Sequence, residues 1–385
     1  MKLLMISGDR SLAAGKRGAF YYMLEEFRKY WERVDIVCPQ VTSYKLQDTN
    51  KLQDTSSKYR KVFDNVYVHP SSQAIIFQPW FILRKGQELH KEHQYDLMTV
   101  HEYPPFYNGI GARWLYNKIK VPYVIEFHHI VGYPKAADLK EAFYRFLYKI
   151  FVKYVCAKAK VVRVVNQKQT SGFLKKLGIS EDKIKNIGSQ YIDLEVFKPV
   201  DVEKKYDLVF AGRLAKNKNV KMLIEALKIL KDRGKDLKCT IIGDGPEKEN
   251  YQLSIINYQL QDSIKLTGWL PTAEDVAKTY NQSRLFVMPS LNEGGPRVCL
   301  EAMACGVPVV TTRVGVMIDV IKDGVNGMFC GWDAEDLADK IMKIREYENM
   351  KIGEAARKTV MRFERKEMIR NLAGEYQEII NKVDE

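Results

Sequence analysis

The chain has 385 residues, 46% of them hydrophobic and 11% aromatic, which fits a soluble globular protein long enough for two domains. No apolar run approaches the roughly 18 residues of a membrane span, and six scattered cysteines without a Cys-x-x-Cys argue against both a disulfide framework and a zinc site. The net charge is +13 and lies wholly in the first part: residues 1–200 hold 32 Lys and Arg against 19 Asp and Glu, whereas residues 201–385 hold 29 of each. Such a bias points to an anionic partner for that part: a membrane surface, a phosphorylated acceptor or nucleic acid.

In chain order, Leu3-Leu4-Met5-Ile6 is too short for a signal peptide and reads as a first strand. A loop with Gly8, Gly15 and Gly18 follows. Next come an amphipathic helix, Phe20 to Trp31, and a strand, Val34–Val37. This is a βαβ start with an anion site at its loop, although the glycine spacing is not a dinucleotide fingerprint. Residues 45–56 repeat six residues almost perfectly, Lys-Leu-Gln-Asp-Thr-Asn then Lys-Leu-Gln-Asp-Thr-Ser, and read as a polar surface excursion. The run Ile75–Leu83 is dense in large apolar side chains and reads as core. Exposed, it would suit a lipid-facing patch beside Arg84 and Lys85.

Strands at Asp96–Val100 and Val121–Phe127 end in His101-Glu102 and His128-His129. Polar groups at that edge of an open parallel sheet face the ligand crevice, which marks the histidines His101, His128 and His129 as candidates for base, donor or phosphate contact, with Glu102 beside them at the same edge. A helix over Leu139–Cys156 mixes Phe143, Phe146 and Ile150 with Arg145, Lys149 and Lys153, and packs on the sheet or touches a membrane. After a strand at Val161–Val165 and a helix at Gln169–Leu177, the pattern loosens around Val196–Lys205, where the domain junction falls.

A second β/α series follows, with strands at Tyr206–Ala211, Cys239–Ile242, Lys265–Thr267, Leu285–Met288, Val307–Thr311 and Gly327–Cys330. Two successive series imply an α/β protein of two doubly wound Rossmann-like domains facing across a cleft, over residues 1–199 and 200–362. Within the second series, Ser290–Val310 reads as loop, short helix and strand. Gly294-Gly295 permits positive φ and close backbone approach. Pro296 suits the first helical position and Gly306 the residue beyond the helix end. Glu301 sits in an otherwise apolar helix, where a carboxylate is costly without a partner. With Glu293 before a helix N-terminus, a phosphate flanked by hydroxyls fits, as in a nucleotide-sugar. A charged cap with one structural ion pair is the plainer alternative.

Phe210-Ala211-Gly212-Arg213-Leu214 with Lys218-Asn219, then Ile242-Gly243-Asp244-Gly245-Pro246, then Leu266-Thr267-Gly268-Trp269-Leu270-Pro271, and above all Pro289-Ser290 with Glu293 and Glu301 seven residues apart, resemble the nucleotide-binding half of retaining GT-B glycosyltransferases of family 4. The first half is similar more loosely, in its Gly-loop, Pro104-Pro105 and Phe127-His128. The resemblance implies a last helix, within residues 363–385, that crosses back to the first domain. It also implies roles. Arg213 and Lys218 bind the donor diphosphate, with Gly243 in the same half. Backbone of Gly294, Gly295, Arg297 and Val298 adds to them, as does Gly18 when the cleft closes. Glu301 takes the ribose hydroxyls, Glu293 the transferred sugar and Leu270 the base. His128 lies beside the anomeric centre, with His101, Glu102 and His129 on the acceptor side. No metal or other cofactor is implied.

Three positions depart from the family pattern: Ser189-Gln190-Tyr191-Ile192-Asp193, Arg284, and the split first-loop glycines Gly15 and Gly18. The expected activity is transfer of a sugar from a nucleotide-diphosphate donor to a glycan, lipid-linked or lipid acceptor. The expected setting is the cytoplasm, with peripheral contact at an anionic membrane. The alternatives are an epimerase or sucrose-type synthase on the same scaffold. A basic nucleic-acid binder is a further alternative, which would leave both glutamates unexplained.

Overall fold

The computed structural model describes residues 1–40, 59–346 and 349–382, so the tandem six-residue repeat lies outside the described residues. Among these, eight strands form the first sheet: β1 (Lys2–Ile6), β2 (Arg33–Cys38), β3 (Arg60–Phe63), β4 (Val66–Pro70), β5 (Leu97–His101), β6 (Tyr123–Phe127), β7 (Val161–Val164) and β8 (Ile184–Asn186). Their order is β3-β4-β2-β1-β5-β6-β7-β8, parallel except for the β3–β4 pair. The second sheet holds β9 (Tyr206–Ala211), β10 (Cys239–Ile242), β11 (Ile264–Gly268), β12 (Ser283–Met288), β13 (Val309–Thr312) and β14 (Met328–Cys330), ordered β11-β10-β9-β12-β13-β14 and parallel throughout.

The inner strands are buried on both faces, which is why they read as continuous Val, Ile and Leu runs rather than alternating ones. In the first domain α2 (Gln78–His93), α3 (Tyr107–Ile119) and α4 (Leu139–Cys156) pack with Leu4, Ile6, Met98 and Val100. The opposite face carries α1 (Ala19–Phe27) and α13 (Arg365–Asn381) against Leu3, Met5 and Val34. Thus the last helix docks on the first domain. It buries Ile369, Leu372, Tyr376 and Ile379 there, at about 1.5–3 kcal/mol for each large apolar side chain.

The chain crosses between domains twice, and the two crossings are tied together: Ile192 N donates to Phe363 O at 2.7 Å, and Arg365 N to Ile192 O at 3.0 Å. Tyr191 packs in the first core and Ile192 in the second. In each sheet the strand order reverses beside the first strand of its domain, between β1 and β5 and between β9 and β12. Crevices at such reversals, beyond the carboxyl ends of the strands, are where α/β sheets bind ligands. The two crevices face each other.

The run Ile75–Leu83 corrects the expectation of core. Pro79 and Ile82 are buried, but Ile75, Ile76, Phe77 and Trp80 are exposed, because the chain enters α2 through a surface turn and only the inner face of that helix meets the sheet.

Candidate active site

The cleft between the domains has a volume of about 520 Å³. Its second-domain wall begins where β9 ends. Gly212 leads into a loop that closes with a 3₁₀ turn, Lys216–Lys218, and Asn219 at φ 53°. That loop is tied to the one after β12. Leu291 N donates to Asn217 O at 2.8 Å, and Asn219 Nδ2 to Pro289 O at 3.3 Å. The ties set Lys218 Nζ in an ion pair with Glu293 Oε1, which also accepts from Ser290 Oγ at 3.0 Å.

The loop then turns into α9 (Arg297–Ala304), with Pro296 at the N-cap rather than the first helical position. Gly306 follows the helix end at φ 74°, and Gly306 N and Val307 N reach back to Met303 O and Ala302 O, a paired C-terminal closure that needs glycine. Neither Gly294 nor Gly295 has positive φ. Their reason is close approach. A Cβ on Gly294 would stand 1.7 Å from His128 O, and one on Gly295 2.2 Å from Gln190 Nε2. The loop is held against the first domain by Asn166 Nδ2 to Gly294 O at 2.9 Å and Asn292 Nδ2 to Lys135 O at 2.8 Å.

Glu301 is buried, and its partner is on its own helix: Arg297 Nε donates to Glu301 Oε1 at 2.9 Å. Burial raises the Glu301 pKa, and the Arg297 guanidinium opposes that rise. Arg297 also lies over the Tyr191 ring at 5.2 Å. Arg213 is exposed on the loop after Gly212. Gly243 adopts φ 133° and lies against the Gly212 carbonyl, where a Cβ would be 1.9 Å away. Leu270 is half-buried beyond β11.

The first-domain wall carries a buried polar cluster. Glu126 Oε2 accepts from His128 Nε2 at 3.1 Å, while Oε1 accepts from Arg163 Nη1 at 3.1 Å and from the Tyr376 hydroxyl. Arg163 further donates to Tyr376 Oη at 2.7 Å and to Ile187 O at 2.9 Å. Burial pushes the Glu126 carboxyl up, but Arg163 and His128 outweigh it and hold it well below the usual carboxylate range. His128 stacks on His101 with ring centroids 4.5 Å apart. Burial, reinforced by His128, pushes His101 down to about 3, so it is neutral at physiological pH. On the first-domain side of the cleft Gly18 is the N-cap of α1, with no side-chain cap, and Ala19, Phe20 and Met23 of that helix line the cleft.

Of the residues singled out in the sequence, His101, His128, Lys218, Glu293, Gly295, Arg297 and Val298 share this lining. His129 turns toward the loop after β12; burial lowers its pKa against the carboxylates of Glu293 and Glu141. Glu102 stands apart. Its carboxyl is buried beside Gly109 and Val155, accepts from Tyr103 N at 3.0 Å, and is pushed up to about 8 by burial. Glu126, Arg163, Gln190, Tyr191 and Tyr376 line the cleft without having been singled out as site residues. Glu126 and Arg163 carried a signal, since each is a charge inside an apolar strand. Gln190 and Tyr191 fall in the stretch that departs from the family pattern.

Two facing doubly wound domains, each offering its strand-order reversal to one cleft, define the GT-B class. The family model "Glycosyl transferases group 1" matches residues 192–359, and "Glycosyltransferase Family 4" matches residues 20–188. The chain belongs to this family of glycosyltransferases. It is 29% identical over 181 residues to a putative colanic acid biosynthesis glycosyltransferase of Escherichia coli, a match covering 44% of each chain. Its fold is similar to that of a sucrose-phosphate synthase from Thermosynechococcus elongatus, with a TM-score of 0.81, 18% identity and 99% of both chains covered. It is similar also to that of Anabaena HepE solved with UDP and glucose, with a TM-score of 0.73, 19% identity, and 98% and 100% covered.

Proposed function

We propose that the protein is a retaining, metal-independent glycosyltransferase. It moves a sugar from a nucleotide-diphosphate donor to a glycan, lipid-linked or lipid acceptor, in envelope polysaccharide or glycolipid synthesis on the cytoplasmic side. The observation that carries this reading is the Lys218–Glu293 pair at the N-terminal side of α9, facing His128 across one cleft.

The chemistry follows from what a diphosphate needs. As the bond between the anomeric carbon and the phosphate oxygen breaks, negative charge builds on the departing diphosphate. Lys218, Arg213 and the free N–H groups at the start of α9 meet it, which lowers the barrier without a metal ion. Lys218 then exchanges Glu293 for phosphate, freeing that carboxylate for hydroxyls of the transferred sugar. In the same way Glu301 takes the ribose hydroxyls as Arg297 turns to the phosphates. The acceptor hydroxyl attacks from the face that the diphosphate leaves, and its proton passes to the departing phosphate oxygen. The new bond thus keeps the anomeric configuration. His128, held through Nε2 by Glu126, lies beside that centre and orients the reacting hydroxyls. Leu270 meets the base, and Gly18 adds its helix N-terminus as the cleft closes.

A second reading is condensation onto a small sugar phosphate, supported by the fold likeness to a sucrose-phosphate synthase. Incubation with a panel of nucleotide-sugars and acceptors, followed by NMR of the anomeric proton, separates the two. The proposal expects an α-linked product from an α-linked donor on a glycan or lipid-linked acceptor. An inverted product rejects retention, and turnover confined to small sugar phosphates favours the second reading.

A further inference from the structure

Half of the large apolar side chains exposed among the described residues belong to just two segments of the first domain, residues 75–80 and α4. On α4 they are Leu139, Phe143, Phe146, Ile150 and Tyr154, between 40% and 89% exposed. At 100° per residue these five fall within an arc of about 80°. The opposite face, with Tyr148, Val152, Val155 and Cys156, is buried against the sheet. The helix is therefore apolar on two sides: one packs, the other is bare.

The second segment is continuous with the first. Phe77 and Trp80 have ring centroids 6.3 Å apart, and Trp80 and Trp114 5.1 Å. Trp114 Nε1 in turn donates to Tyr154 Oη at 3.2 Å. The result is one aromatic-rich surface running from α2 across α3 to α4, where aromatic rings with polar tips suit a water–lipid boundary.

Its borders are basic. Lys149 and Lys153 flank the stripe on one side and Lys140 on the other, all exposed. Glu141, the one acid within α4, faces inward and accepts from Ala137 N at 2.7 Å and Asn292 Nδ2 at 2.8 Å. Asp138 caps the helix by accepting from Glu141 N. The second domain shows no such bias, and among its described residues no helix exposes more than the neighbouring pair Leu253 and Ile256.

We infer that this surface seats the protein on an anionic lipid bilayer, with α4 lying in the interface and the tryptophans beside it. The bare stripe supplies apolar insertion and the lysines supply attraction to anionic headgroups. Attachment would be peripheral, since no helix among the described residues is long and apolar enough to cross a membrane. The seat also has an orientation. The Glu141–Asn292 hydrogen bond ties the first turn of α4 to the loop bearing Glu293, so a bilayer under α4 lies next to the mouth of the cleft. This inference does not rest on the transferase reading, because vesicle binding is measured without any sugar.

The test is co-sedimentation of the full chain with phosphatidylcholine vesicles, with and without phosphatidylglycerol, at low and high salt. The wild type is expected to pellet with the anionic vesicles at low salt and to be released by salt. Phe146→Glu with Ile150→Glu is expected to weaken binding by about tenfold or more. Lys149→Glu with Lys153→Glu should lower it by roughly 30-fold or more and flatten its salt dependence. Leu253→Glu with Ile256→Glu, on the second domain, should leave it unchanged. Unaltered thermal melts certify that each variant folds. As a measurement free of substitutions on α4, vesicles should shift tryptophan emission to the blue, and less so in Trp80→Phe. A wild type that stays in the supernatant, binding indifferent to the α4 variants, or self-association through this face without vesicle binding would overturn the inference.

Discussion

In the second domain the residues lining the cleft come from two short segments, Gly212 to Lys218 after β9 and Glu293 to Val298 after β12. In the first domain the lining is gathered from the end of β1, from α1, from the ends of β5, β6 and β7, from the crossing at Ser189–Tyr191 and from Leu372 and Tyr376 of the returning helix. One wall is thus written locally, as loop motifs. The other is written across most of the chain length, and Tyr376 meets Glu126 from 250 residues away. The local wall has backbone ties that set cation against carboxylate. The dispersed wall has a buried carboxylate that collects His128, Arg163 and Tyr376. The first is the proposed anion site, and the second holds a histidine whose orientation depends on several elements being docked at once.

The sharpest way to break this comparison is to remove a member of the local wall. Lys218→Ala or Glu293→Ala is expected to cut sugar transfer by roughly 100- to 1,000-fold, read as initial rates with saturating donor. A fall below tenfold would contradict the assigned wall. Next comes Glu126→Gln, which keeps the shape but weakens the hold on His128 and Arg163. The expectation is a kcat about 10- to 100-fold lower, little change in donor KM, and an altered pH–rate profile. A purely structural role would instead lower the melting temperature and leave the pH profile intact.

Gly294→Ala tests where the walls touch. Its Cβ would meet His128 O at 1.7 Å, so the domains must part or strain at a cost of about 1–3 kcal/mol. The expected readout is a lower Tm and a raised donor KM. An unchanged protein would mean the contact is not held in solution.

Glu102, outside the cleft, bears on stability rather than on turnover. Its folded pKa is raised from 4.5 to about 8, so the folded state binds the extra proton between those values. Its contribution is therefore most favourable below pH 4.5 and is lost as pH rises toward about 8. Glu102→Gln should remove that loss, raising Tm at pH 8 relative to wild type and much less at pH 5. A difference that grows on acidification would have the wrong sign.

Much of the second domain was legible in the sequence, because five of its six strands run into a glycine or proline and the residues that line the cleft follow β9 and β12 within a few positions. The strand limits of β9 and β10 are read directly from Tyr206–Ala211 and Cys239–Ile242. The first domain was legible as elements but not as a site. Glu301 drew attention as a carboxylate in an apolar helix, and the same reasoning applied to Glu126 in Tyr123–Phe127 and Arg163 in Val161–Val164 would have found the cluster. Tyr376 sits on an amphipathic helix and has no local mark of its role. The exposed run at Ile75–Trp80 was misread because hydrophobic density alone does not say which face of a helix will be covered.

As proposed, the second-domain wall binds a nucleotide-diphosphate-sugar through Lys218, Arg213 and the N-terminus of α9. Thermal-shift titration with UDP-, GDP-, ADP- and CDP-sugars tests it most directly. One base class is expected to raise the Tm of the wild type in a concentration-dependent way, with the shift largely lost in Lys218→Ala and in Arg213→Ala. No shift with any of the four, or a shift that both variants retain, would contradict it.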